Sequence, residues 1–164
     1  MAATATTSTS VTDIPRARTG GAVMTAAAIG FVGYAVIFLV RNFSDSFLEL
    51  GIGTAEVDVG RQAIVDFSPS LFHYISHLHI AVSGFIAATG VAVAALSWFG
   101  VRRGERWAWL AAVAAPVLAL GVALPAHYPN GFDTLGHLGL IYLATSVFVI
   151  GALIALPAMT GDRS

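Results

Sequence analysis

Apolar residues fall into four long runs along the chain, and the polar residues gather between them. Gly21 to Val40 is twenty residues without a charge, closed by Arg41 and Asn42. At 1.5 Å per residue, about 20 apolar residues span the roughly 30 Å hydrocarbon core of a bilayer, so this run predicts a membrane-crossing helix at about 21–40. The second run opens at Ser68-Pro69, a favourable N-cap and first-turn pair. It passes through three histidines into the charge-free stretch Ile80–Phe99 and stops at Gly100. Its crossing segment is 78–99. The third runs from Trp107 to Leu124 with Pro116 inside, which predicts a kink, and with Pro125 and Pro129 to end it. The turn Tyr128-Pro129-Asn130-Gly131 follows. The fourth, 135–156, starts after Asp133 as an N-cap and closes at Pro157.

The remaining segments have a different character. Residues 1–20 are Ala-, Thr- and Ser-rich with no apolar periodicity, and predict a mobile tail. Residues 158–164 form a second, short tail. Residues 41–70 are the longest polar stretch. There, Ser46 followed by Glu49 fits a capping box, while Val57, Ile64, Val65 and Phe67 suit one side of a short helix lying on the membrane surface or capping a bundle. The fold expected is all-α, a four-helix bundle integral to a membrane, with 21–157 as one domain. Small residues at spacing four suggest close helix packing: Ala22, Ala26 and Gly30; Gly84, Ala88 and Ala92; Ala111, Ala115, Ala119 and Ala123.

Composition agrees with the pattern. Of 164 residues, 57% are hydrophobic and only 10% charged, with a mean hydropathy of +0.81. Soluble domains carry about 25% charged residues, so a water-soluble fold would lack the polar surface to cover itself. Arginine placement sets the expected orientation. Arg16 and Arg18 precede the first run, and Arg102, Arg103 and Arg106 lie between the second and third, on the same side if the spans alternate. The acidic 41–70 segment falls on the other side. Positive charge stays in the cytoplasm, which places both termini there. All basic residues are arginine, which together with abundant alanine points to a GC-rich bacterial genome and hence to the plasma membrane of a bacterium.

The same counts exclude several chemistries. A net charge of −1 leaves no basic footprint for nucleic acid. With no lysine, P-loop phosphate binding and Schiff-base catalysis are out. With no cysteine, disulfides, thiolate catalysis and iron–sulfur clusters are out as well. No charged residue lies mid-span, as an ion-coupled transporter would require.

Five histidines carry the candidate chemistry: His73, His77 and His79 on the second helix, His127 after the third and His137 on the fourth. His79 and His137 each precede a charge-free run of nearly equal length, so they lie at similar depth, and all five belong to one layer at the outer rim. His73 and His77, at i and i+4, share a face and can grip one ion. His79 and His137, on different helices, suit a haem. Asp66 and Asp133 are carboxylates near enough in sequence to join the ligands or support them. Imidazole suits haem iron, copper, iron or zinc.

Three functions are compatible with these features. The first is a non-enzymatic subunit or scaffold, packing in the lipid bilayer against other membrane subunits or in a homo-oligomer. The second is a metal- or haem-binding protein engaged in electron transfer or oxidoreductase chemistry at the outer rim. The third is a permeation or sensing protein that responds to external pH through its imidazoles.

Overall fold

The computed structural model describes residues 13–160. Its elements are α1 (Asp13–Asn42), α2 (Thr54–Val57), α3 (Arg61–Phe67), α4 (Pro69–Ala95), α5 (Arg106–Ala123) and α6 (Leu135–Thr160). A π-helical stretch Leu96–Gly100 and a 3-10 turn Val101–Arg103 extend α4, and two further 3-10 turns follow α5. Among the described residues there is no strand. Four helical stretches, Ile14–Asn42, Pro69–Arg103, Arg106–Asn130 and Leu135–Thr160, are long and apolar enough to cross a membrane. They correspond to the four runs of the sequence.

Several boundaries differ from expectation. α1 begins at Asp13, so residues 13–20 are helix and not tail. Ala17 and Gly20 face inward, Gly20 lying against Gly151 and Ala155 of α6, and this packing orders a turn whose composition alone would not. Pro15 is tolerated because backbone N–H groups in the first turn have no intrahelical partner. Residues 1–12 and 161–164, the rest of the two expected tails, lie outside the described residues. α6 runs through Pro157 to Thr160, the ring removing only the bond to the Leu153 carbonyl. Thr134, not Asp133, caps α6: its hydroxyl accepts from the His137 N–H at 3.2 Å. Ser68 does cap α4, accepting from the Leu71 N–H at 3.2 Å.

The long helices alternate in direction, leaving an arginine end, with Arg102 and Arg103, and a histidine end. α1 is the central element and packs along both α4 and α6. Its inward face follows helical periodicity, through Ala17, Met24, Ala28, Ala35 and Phe38. At the α1–α6 crossing, a methyl on Gly20 or Gly151 would strike the partner's backbone. Gly90 performs the same service for α4 against Ala28 and Val32 of α1. These are not the spaced small residues noted in the sequence. Ala26, Gly84, Ala88, Ala92 and Ala111 are exposed, because abundance alone produced the spacing.

α5 is attached differently. At the arginine end, Ala108 packs into the space over Gly100, and the Trp109 indole N–H donates to the Ala152 carbonyl at 3.2 Å. Ala112 is buried too, with Val113 and Ala115 against the core; from Val117 onward α5 stands further from its neighbours, and Val122 is 80% exposed. Large apolar side chains project outward all round the bundle, Phe85 at 74% and Leu118 at 70% among them. Soluble monomers rarely expose apolar patches beyond a few hundred Å².

Candidate metal centre

The histidine end is closed by the segment that follows α1. Arg41, in the last turn of α1, turns its guanidinium onto this segment. Nε donates to the Leu48 carbonyl at 2.9 Å, and Nη2 donates to those of Ser46 and Glu49 at 3.2 and 3.3 Å. Phe47 is wholly buried as a plug, its ring 4.7 Å from that of Phe72 and 5.2 Å from His79. The expected capping box at Ser46 does not form, since residues 46–53 carry no helix. Glu56 instead reaches back to accept from the Gly53 N–H at 2.8 Å, starting α2. Glu49 is thereby freed to point into the bundle.

Two residues further on, Gly51 takes a φ of 75° and lies against the backbone of Gly136 and His137, where any Cβ would overlap. This close approach brings the Leu50 carbonyl to 2.7 Å from Nδ1 of His137. His137 is 2% exposed. Its Nε2 lies 3.3 Å from Oε2 of Glu49. The His127 ring lies 5.1 Å from the His137 ring, centroid to centroid, and its Nδ1 is 2.9 Å from the Ala123 carbonyl. One donor atom each from Glu49, His127 and His137 lies within 4.8 Å of the others.

The hydrogen bonds fix the chemistry of both imidazoles. A carbonyl oxygen only accepts, so each Nδ1 carries the proton, and in the neutral ring Nε2 then presents a lone pair. At His137 that lone pair faces a carboxylate oxygen. Two electron-rich atoms at 3.3 Å repel unless a cation, either a proton or a metal ion, lies between or beside them. Backbone carbonyls that hold Nδ1–H of a ligating histidine are a recurrent feature of metal sites, since they fix the tautomer and aim the ring.

The other sequence candidates lie elsewhere. His73 and His77 are exposed and point away from the bundle. Asp66 is exposed and accepts from Gln62 Nε2 at 2.8 Å, and Asp133 is exposed on the turn before α6. His137, read from the sequence as a partner of His79, has the His127 ring as its neighbour. The His79 ring is wedged between Phe38, at 4.9 Å, and Phe47. Helical depth could not tell which way His79 faces. Glu49 was missed. Its surroundings, Phe47-Leu48-Glu49-Leu50, are apolar, but so are those of Asp66 in Ile64-Val65-Asp66-Phe67, so local sequence did not single it out.

Inward of the cluster lies a cavity of about 340 Å³, bordered by Glu49 and His127 at the histidine end and walled by all four long helices. Compared with protein families, with characterised proteins and with solved structures, the chain matches none.

Proposed function

We propose that this chain is a four-span integral membrane metalloprotein, both termini cytoplasmic, that holds a divalent transition-metal ion near the outer surface on Glu49, His127 and His137. The membrane placement is supported by four apolar helices of spanning length and by the outward-facing apolar side chains. Orientation is supported by arginines at one end and acidic residues of the 41–70 segment at the other.

One observation carries the metal reading: a histidine whose Nδ1 proton is committed to Leu50 turns its other nitrogen onto the Glu49 carboxylate. Bonds of about 2.0–2.2 Å around a tetrahedral ion put neighbouring donor atoms about 3.3–3.6 Å apart. The His137–Glu49 separation of 3.3 Å already matches one such edge. The remaining separations, within 4.8 Å, close by small rotations of His127 and Glu49. Two histidines and one carboxylate leave a coordination position open, the arrangement of catalytic rather than structural sites. Three converging donors suit a bare ion. Haem would present its iron to two ligands on opposite faces.

Such an ion would supply Lewis acidity at its open position, while the protein's groups hold and orient it. The reading as a subunit or scaffold rests on the exposed apolar faces alone, which lipid covers equally well. The test is elemental analysis and zinc or iron(II) titration of chelator-stripped protein in detergent. One ion per chain is expected, with affinity reduced at least about tenfold in Glu49→Gln, His127→Ala and His137→Ala. Failure of the wild-type chain to retain any stoichiometric divalent ion overturns it.

A further inference from the structure

The cavity beneath the candidate metal centre has a shape that specifies a ligand. Its walls extend from Val82 to Val93 along α4 and from Pro116 to Ala123 along α5, with His127 just beyond the 3-10 turn that follows. At 1.5 Å per helical residue this is a depth of about 16 Å. A hydrocarbon zigzag advances about 1.3 Å per C–C bond, so that depth takes about twelve carbons. A cavity of about 340 Å³ extended over that depth is elongated.

The lining matches that occupant. Phe31, Phe38, Phe85 and Phe148 supply apolar wall, whereas Glu49 and His127 bring charge and imidazole to one end. Access is lateral. Phe85 of α4 and Ala119 and Ala123 of α5 line the cavity and are also exposed, so it opens on the flank of the bundle along the part of α5 that stands away. A molecule dissolved in a bilayer reaches such an opening without passing through water.

We propose that this cavity binds a single unbranched hydrocarbon chain of about twelve carbons, its polar head at the Glu49–His127 end. The position of the head rests on the metal reading above; the chain length does not. Both a free single-chain amphiphile and one acyl tail of a phospholipid present this chemistry. Bound chains gain little from leaving lipid, which is as apolar as the cavity, so discrimination comes from fit. A shorter chain leaves a void and a longer one must protrude.

The test uses the full chain in digitonin, offered an equimolar mixture of saturated fatty acids of six to eighteen carbons and, separately, phospholipids with the same tails and naphthol as a bicyclic competitor. Bound species are read by native mass spectrometry. Retention is expected to peak near twelve carbons, about tenfold above six and eighteen. It should fall to background in Ala119→Phe, whose new ring occupies the cavity, and in Thr89→Phe as a second variant should the first fail to fold. Peaking in the fatty-acid arm names the free amphiphile, and peaking in the phospholipid arm names the acyl tail. Flat retention across lengths, equal retention in both folded variants, or preference for naphthol overturns the proposal. Zinc binding is measured on the same samples. Glu49→Gln is expected to lose zinc and keep chain selection, and Ala119→Phe the reverse, so failure of one reading is distinguishable from failure of the other.

Discussion

Nδ1 of His137 lies 2.7 Å from the carbonyl oxygen of Leu50, a residue 87 positions away in the chain. This contact decides what His137 can do, because it commits one nitrogen to a backbone acceptor and leaves the other for Glu49. It exists only because Gly51 has no side chain. Gly51→Ala adds about 1–2 kcal/mol of left-handed backbone strain and an overlap with Gly136 and His137. Lower thermal stability and weakened zinc binding are expected together, by circular dichroism melting and calorimetry. Unchanged zinc affinity would show that the Leu50 carbonyl does not aim the ring.

Arg41 holds the carbonyls of Ser46, Leu48 and Glu49 through one guanidinium. Arg41→Met keeps the apolar stem and removes those donors. A hydrogen bond to a charged group contributes about 1.5–3 kcal/mol, and even the lower figure is about tenfold in a binding constant. Zinc affinity is expected to fall by at least that factor with helix content unchanged. Loss of the fold instead would make Arg41 a structural residue only.

His73→Ala with His77→Ala is expected to leave metal stoichiometry and affinity within about twofold of wild type, since both side chains are exposed and outside the cluster. Loss of the ion in this double variant would move the site from the bundle interior to the α4 surface.

Acid should release the ion. Ligation uses two imidazole lone pairs and a carboxylate, and protons compete for all three. Imidazoles titrate between about pH 5 and 8, so zinc affinity is expected to fall on acidification, about tenfold per pH unit for each imidazole that becomes protonated. Calorimetric titrations at about pH 8, 6.5 and 5 check the sign, and pH-independent binding would exclude histidine ligands.

Absence of cysteine makes topology simple to read. Asp133→Cys is expected to react with a membrane-impermeant maleimide in intact cells, and Arg103→Cys only after permeabilisation. Both positions are exposed. The reverse pattern would invert the orientation and put the candidate metal centre in the cytosol.

The four helices were legible because apolar run length is a property of the sequence alone, and so were the caps at Ser68 and the stop near Leu124. Depth was legible for the same reason, which put His127 and His137 in one layer. Facing was not. Whether an imidazole points inward depends on which neighbour a helix packs against, and the close approaches at Gly20, Gly90 and Gly151 were not marked by the small residues at spacing four. Glu49 was hidden because its position depends on a loop folded back by Arg41, a long-range consequence that no periodicity records. The start of α1 escaped notice for a related reason: residues 13–20 are helical through contact with α6.

The uneven attachment of α5 has a bearing on sequence drift. Where α1 meets α6 and α4, backbones nearly touch, and a single added methyl at Gly20, Gly90 or Gly151 has nowhere to go. Along the free half of α5, Val117, Leu118 and Val122 meet no neighbour that would resist a change of size. Substitutions accepted over time should therefore include that half of α5, while the seam between α1 and its two neighbours stays frozen.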